Sequence, residues 1–290
     1  MNTKRILVSV IAVGLILMAV EGCSNKAYEF QGQGEIRGQN ETARFTTGGT
    51  NEKMLEYFPS RWPAAVETYD GTTRIKVTHW FENKQMNYEL NCKGEIKHGM
   101  ETAWYQNGQK EYEYRWEMGS QVGPAPMWFP DGKPKETVEF VNGRKEGMDT
   151  VFFPDGRKET ETLYKDGLRT GVKVTYFPTG AKQKEETYVN DKLNGLSQCW
   201  YPDGQLQWSI QFRDDNRDGP DIAYDRKGQK QSEGQNMAGK KVGHWVFYKN
   251  GAKDYEGDYD SEGHRNGTFR WFGPGGNVIS EKNYVSGVEQ

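Results

Sequence analysis

The chain has 290 residues, of which 34% are hydrophobic and 13% aromatic, with 38 basic against 41 acidic side chains for a net charge of −3. A near-balanced charge with no basic run and no reader motif excludes nucleic acid as a partner class. Low apolar content combined with many large rings suits a thin sheet with one wet face better than a thick globular core.

The first 22 residues read as a signal. Lys4 and Arg5 precede an uncharged stretch from Ile6 to Val20, then Glu21-Gly22-Cys23. That is the layout of a secretory leader, and its apolar core is too short to favour a spanning helix. Val20, Gly22 and Cys23 resemble the bacterial lipobox, in which cleavage precedes a cysteine that then carries lipid. Glu21 departs from the small residue usual there and leaves ordinary secretion open as the alternative. The resemblance implies lipidation at Cys23. Ser24, in place of the aspartate that retains lipoproteins at the inner membrane, implies a cell-envelope location at the outer membrane. Removing residues 1–22 leaves 36 basic against 40 acidic side chains.

Residues 23–50 are rich in Gly, Gln, Thr and Asn with few large apolar side chains, the composition of a tether. Residues 51–98 carry faded copies of a pattern that is regular from residue 99 onward. Tyr57-Phe58-Pro59 and Tyr69-Asp70-Gly71 suggest a distorted hairpin. Trp80-Phe81, Asn83-Lys84 and Cys92 occupy the aromatic, turn and second-aromatic places of a degenerate copy. Atypical terminal copies cap repeat arrays.

The regular part is an array. Gly99, Gly123, Gly147, Gly171, Gly195, Gly219, Gly243 and Gly267 stand 24 residues apart without a slip, and a fixed period of that size marks one supersecondary unit stacked on copies of itself. Five residues after each anchor glycine comes an aromatic: Trp104, Trp128, Phe152, Tyr176, Trp200, Tyr224, Tyr248 and Phe272. A second glycine follows nine residues after the anchor in seven copies, the remaining copy offering Gly251 one position early. A second aromatic column stands seventeen residues on, at Trp116, Phe140, Tyr164, Tyr188, Phe212 and Tyr284. Asn236 and Asp260 break it, beside Met237 and Tyr259.

Each copy reads as a hairpin. In Trp200-Tyr201-Pro202-Asp203-Gly204 an apolar run meets proline, aspartate and glycine, three residues that favour reversal for different reasons. Gln205 to Phe212 then alternates polar and apolar, the period-two mark of a half-buried strand. Asn142-Gly143 and Asp166-Gly167 supply the second turn. The predicted fold is all-β: an elongated array of antiparallel hairpins in a twisted single-layer sheet, with eight copies over 99–290. At ~4.8 Å per strand the array extends ~80 Å.

Copies such as Gly147 to Gly167, with Phe152-Phe153-Pro154-Asp155-Gly156-Arg157-Lys158 and Tyr164-Lys165-Asp166-Gly167, resemble the MORN-repeat variant of bacterial proteins, some of them labelled antitoxin-like. The resemblance covers roughly residues 75–290. It implies a binding or membrane-proximal scaffold built from successive hairpins.

Chemistry is not legible. The four histidines, His79, His98, His244 and His264, have no ligand spacing around them, no nucleophile elbow occurs, and Gly273-Pro274-Gly275-Gly276 lacks the Lys-Ser or Lys-Thr of a phosphate loop. No catalytic residue, metal ligand or cofactor is assigned, and the chain is read as a non-enzyme. Cys92 and Cys199 are separated by 107 residues, ~40 Å along such an array, beyond the reach of a disulfide. The candidate binding face is the first aromatic column: Trp104, Trp128, Phe152, Tyr176, Trp200 and Tyr224. Its expected partner is an envelope protein or polymer. Two alternatives are a glycan- or small-ligand-binding module similar to choline- or glucan-binding repeats, and an antitoxin-like binder of a toxin protein. Adjacent ring pairs such as Trp104-Tyr105 and Phe152-Phe153 are expected to point to opposite faces, because neighbours along a strand alternate.

Overall fold

The computed structural model describes residues 45–47 and 50–290. The signal, Cys23 and most of the expected tether lie outside them. Among the described residues the architecture is all-β: 23 antiparallel strands in one sheet. Each pairs with its neighbours in sequence, with Ser120–Pro124 and Met127–Trp128 sharing one place between the same two partners. Phe45–Thr47 pairs with Thr50–Tyr57, which pairs in turn with Pro63–Asp70, so strand pairing runs back to the first described residues. The sheet is the elongated array of successive hairpins that the 24-residue period predicts.

The two ends of each hairpin use different turns, and the residues explain which. Asn142-Gly143 has φ of 49° and 76°, and Asp166-Gly167 has 53° and 83°. Both central residues are left-handed, the two-residue geometry whose twist matches that of the strands it joins. At the opposite edge, Gly156 N–H donates to the Phe153 carbonyl at 2.8 Å and Phe153 N–H donates to the Arg157 carbonyl at 2.8 Å. Asp155 Oδ1 accepts from Arg157 N–H at 2.9 Å. Proline, aspartate and glycine thus form a turn closed by a left-handed glycine, as their positions demand.

The anchor glycines are not turn residues. They lie within strands, at left-handed φ such as 68° at Gly171 and 133° at Gly195. There the ladder breaks: Thr162 pairs with Lys173 but Tyr164 with Arg169, leaving three residues opposite one. The same break recurs between Glu186 and Tyr188 and between Ile210 and Phe212. Each anchor glycine therefore makes a bulge, and a bulge at the same place in every copy bends and twists the sheet regularly.

That bend decides which face is inner. The residue two after each anchor is the deepest of its copy in most of the array: Glu101 is 2% exposed, Ala125 1%, Ser197 1%, Trp245 2% and Phe269 0%. Its side chain shares the inner face with the second aromatic column. The first aromatic column lies on the outer face, one step out of phase. The core is thus a line of side chains running along the array, with small clusters such as Tyr114, Ala125 and Val138.

The second ring of each aromatic pair does not face away along a strand, as alternation predicts. Tyr105, Phe129, Phe153, Phe177 and Tyr201 are the first residues of the turns, outside the strands. Two of them tie copies together: Tyr105 and Tyr201 hydroxyls donate to the carbonyls of Trp128 at 2.9 Å and Tyr224 at 3.0 Å. Cys92 and Cys199 form no disulfide among the described residues.

Candidate functional site

The outer face is built from a repeating set of three side chains. Lysine and glutamate three residues apart pair at the start of the second strand, as in Lys158–Glu161 at 2.5 Å, Lys182–Glu185 at 2.5 Å and Lys230–Glu233 at 2.6 Å. Such spacing would place them on opposite faces of a regular strand. The ladder irregularity between Val151 and Phe152, and its equivalents between Thr175 and Tyr176 and between Ala223 and Tyr224, adds a residue and returns both to one face.

The third member is the first aromatic column. Tyr176 donates its hydroxyl to Glu161 at 2.6 Å and Tyr248 to Glu233 at 2.5 Å, each reaching back to the preceding copy. The bond to Glu161, with burial, pushes the Tyr176 phenol up to about 12. Burial, with the bond to Glu233, does the same for Tyr248. Lys158 and the Tyr176 hydroxyl hold Glu161 below the usual carboxylate range, and Lys230 and Tyr248 hold Glu233 there. Trp200 carries the Lys182 ammonium 5.3 Å from its ring centroid.

All six predicted face residues, Trp104, Trp128, Phe152, Tyr176, Trp200 and Tyr224, are half-buried and fall on this one face. Tyr176 and Trp200 are held by the contacts above, and all six leave ring surface open. Beside them lie exposed apolar side chains that sequence reasoning missed: Met100, Met148, Leu163, Val172 and Leu196 are each more than a third exposed. Met148 pairs directly with Leu163 across the strands. The signal was present, since Met148, Val172 and Leu196 come one residue after their anchor glycines, but a residue beside a glycine reads as turn until the glycine is known to be a bulge.

The inner face carries a second ladder. A cation two residues before the anchor lies over the second aromatic column: Lys97 over Trp116 at 4.4 Å, Lys145 over Tyr164 at 5.4 Å, Arg169 over Tyr188 at 4.2 Å and Arg265 over Tyr284 at 5.3 Å. These four rings of the second column are thus covered by cations, while Phe140 packs against the Tyr114–Ala125–Val138 cluster. Toward the C-terminus the inner face becomes an aromatic stack, with Trp245, Phe247, Tyr255 and Trp271 in succession at centroid separations of 5.8, 4.3 and 6.2 Å. Among the described residues no three His, Cys, Asp or Glu side chains are placed to hold a metal ion.

A family model described as the MORN repeat variant matches residues 265–286, the eighth copy. The chain is therefore a β-hairpin repeat protein containing a MORN repeat variant. No curated protein matches the sequence. The chain is similar, at 10% identity over 82% of its length, to a chain of a Photorhabdus luminescens Tc holotoxin pore carrying a TccC3 mutation, with a TM-score of 0.19. It is likewise similar to a chain of the TcdB2-TccC3 crystal structure at 10% identity over 82% of its length, with a TM-score of 0.16. It spans 15% and 17% of those chains.

Proposed function

We propose that this protein is a non-enzymatic interaction scaffold of the cell envelope, tethered by lipid at Cys23 to the outer membrane and binding an envelope protein through the outer face of its array. The observation that carries the reading is the alignment of six half-buried rings on one face, beside exposed apolar side chains that recur one residue after the anchor glycines at Met100, Met148, Val172 and Leu196. Apolar positions scattered singly over a surface need no explanation, whereas rings and apolar side chains that recur on one face and are rimmed by polar groups mark a docking surface. Here the rim is the lysine–glutamate ladder. The MORN repeat variant at 265–286 supports a repeat-based binding role.

The test is crosslinking in intact cells from a photoreactive residue placed at Met148 or Leu196. One dominant protein adduct, lost when Trp128 and Trp200 are replaced by alanine, is the expected result. Labelling spread over many proteins and unchanged by those substitutions would overturn the reading. The tether is tested separately: Cys23→Ala should move the protein from the membrane to the soluble fraction, and unchanged fractionation would remove the lipid from the proposal.

A further inference from the structure

The inner face changes chemistry near its C-terminal end. In three earlier copies the cation before the anchor glycine is neutralised by a carboxylate four residues on: Lys97 by Glu101 at 3.0 Å, Lys145 by Asp149 at 2.6 Å and Arg217 by Asp221 at 2.9 Å. In the seventh copy the carboxylate's place is taken by Trp245. Lys241 then has three rings and no ion pair among the described residues: its ammonium lies 4.5 Å from the Trp245 centroid, 4.5 Å from Phe247 and 5.8 Å from Tyr259. Burial lowers its pKa, and the charges of Arg217 and Arg265 lower it further against the attraction of Asp221.

A trough of about 210 Å³ opens beside this ammonium, with Trp208 and Trp245 among its walls. Its floor is low because the intervening strands carry small side chains: Trp208 pairs with Ala223, Ala223 with Ser232, and Ser232 with Phe247. Trp208 and Phe247 thus stand three strand steps apart, ~14 Å along the sheet. A ring wall, a shallow polar floor and one cation without a direct ion pair among the described residues converge on a space the size of one small ring.

We propose that this trough binds a sugar ring bearing a carboxylate, the chemistry of a uronic acid residue in a polysaccharide. The apolar face of the sugar lies on the Trp208 indole, its carboxylate meets Lys241, and its hydroxyls meet Ser232 and the Asp221–Arg217 pair. A neutral sugar leaves the ammonium uncompensated. A phosphate dianion is disfavoured by Asp221 on the trough wall. Binding gives the ammonium the directly paired anion that it lacks, through a charge-assisted hydrogen bond. This site is on the opposite face from the aromatic docking surface and stands independently of it.

The experiment is calorimetric titration of the full chain with trigalacturonate, with maltotriose as the neutral control. Saturable binding of trigalacturonate only is expected, weakened by added salt and at least tenfold weaker in Lys241→Gln and in Trp208→Ala. Binding should be retained in Lys241→Arg and in the outer-face variant Trp128→Ala. Far-UV circular dichroism establishes that each variant is folded, and Trp208→Phe with Lys241→Arg replaces any that is not, the first then weakening binding and the second keeping it. Equal binding of maltotriose, undiminished affinity in Lys241→Gln, or no saturable heat with trigalacturonate would overturn the site.

Discussion

Trp245 is buried because Gly234 has no side chain. A Cβ added at Gly234 would stand 2.2 Å from Trp245 Cδ2, and one at Gly257 would stand 2.5 Å from Phe269. Both large rings lie flat over a glycine of a neighbouring strand, the device by which an aromatic covers the gap a strand glycine leaves. Gly234→Ala should therefore destabilise by about 1–3 kcal/mol through overpacking, while the exposed neighbour Gln231→Ala should change little. Urea unfolding checks this, and equal midpoints for the two variants would contradict it. The outer-face phenols make a second prediction. Because the folded pKa of Tyr176 and of Tyr248 is raised to about 12, their contribution is present below an unfolded value of ~10 and is lost as pH rises from there through 12. The depressed Glu161 and Glu233 act in the opposite direction, contributing above the ordinary carboxylate range and losing that contribution as pH falls through their lower folded values. Phenolate absorbance during alkaline titration should show late-ionising tyrosines that Tyr176→Phe and Tyr248→Phe each reduce by one. Ionisation of all tyrosines near their ordinary value would mean that neither hydroxyl–carboxylate bond persists in solution.

The two-residue turns differ in how well their residues suit them. Asn142, Asp166, Asn190 and Asp214 occupy the first left-handed position in four copies, but Ala238 stands there at φ 49° and Met118 at 46°. Asparagine tolerates that conformation where alanine is strained. Ala238→Asn should stabilise by about 0.5–1 kcal/mol, read as a higher urea midpoint, and a lower midpoint would mean that the turn is not what limits this hairpin. The seventh copy shows how the period survives a change of turn. Its first turn is Asn250-Gly251, with φ of 52° and 80°, in place of the longer proline-aspartate-glycine turn. Its second turn is the longer one, with Asp260 N–H donating to His264 and Gly263 N–H to Asp260. One residue is lost at one edge and gained at the other. Strand Ala252–Tyr259 therefore slides by one, and Tyr259 rather than Asp260 continues the inner column.

Because pairing joins only strands that are close in sequence, stability is near to a sum of copies and the interfaces between them. Truncation before Gly267 should leave the remaining array folded with unaltered strand dichroism and only a lower thermal midpoint; global unfolding on that truncation would show longer-range dependence. The same linearity keeps the thiols apart. Cys92 and Cys199 lie on strands nine pairing steps apart, on the order of 43 Å at ~4.8 Å per step, far outside disulfide reach. Burial raises the Cys199 thiol pKa, and Cys92 is buried outright. Maleimide labelling of the native protein should modify Cys199 slowly and Cys92 only on unfolding. An intrachain Cys92–Cys199 disulfide would be incompatible with the array.

Local rules determined much of this from the sequence alone. Turn residues declare a reversal wherever they fall, strand alternation declares a half-buried strand, and eight copies in register repeat both messages, so the hairpin array and the common face of Trp104, Trp128, Phe152, Tyr176, Trp200 and Tyr224 were legible. What the anchor glycines do was not. A glycine in a strand and a glycine in a turn look alike in sequence, and only the pairing register shows that these form bulges. Those bulges set the face that is buried and the exposure of Met100, Met148, Val172 and Leu196 beside the anchors. The trough beside Lys241 belongs to the tertiary structure: the loss of the carboxylate at position 245 can be read from the sequence, but the convergence of Trp208, Asp221 and Ser232 from three other strands on that ammonium cannot, because no spacing along the chain encodes that distance.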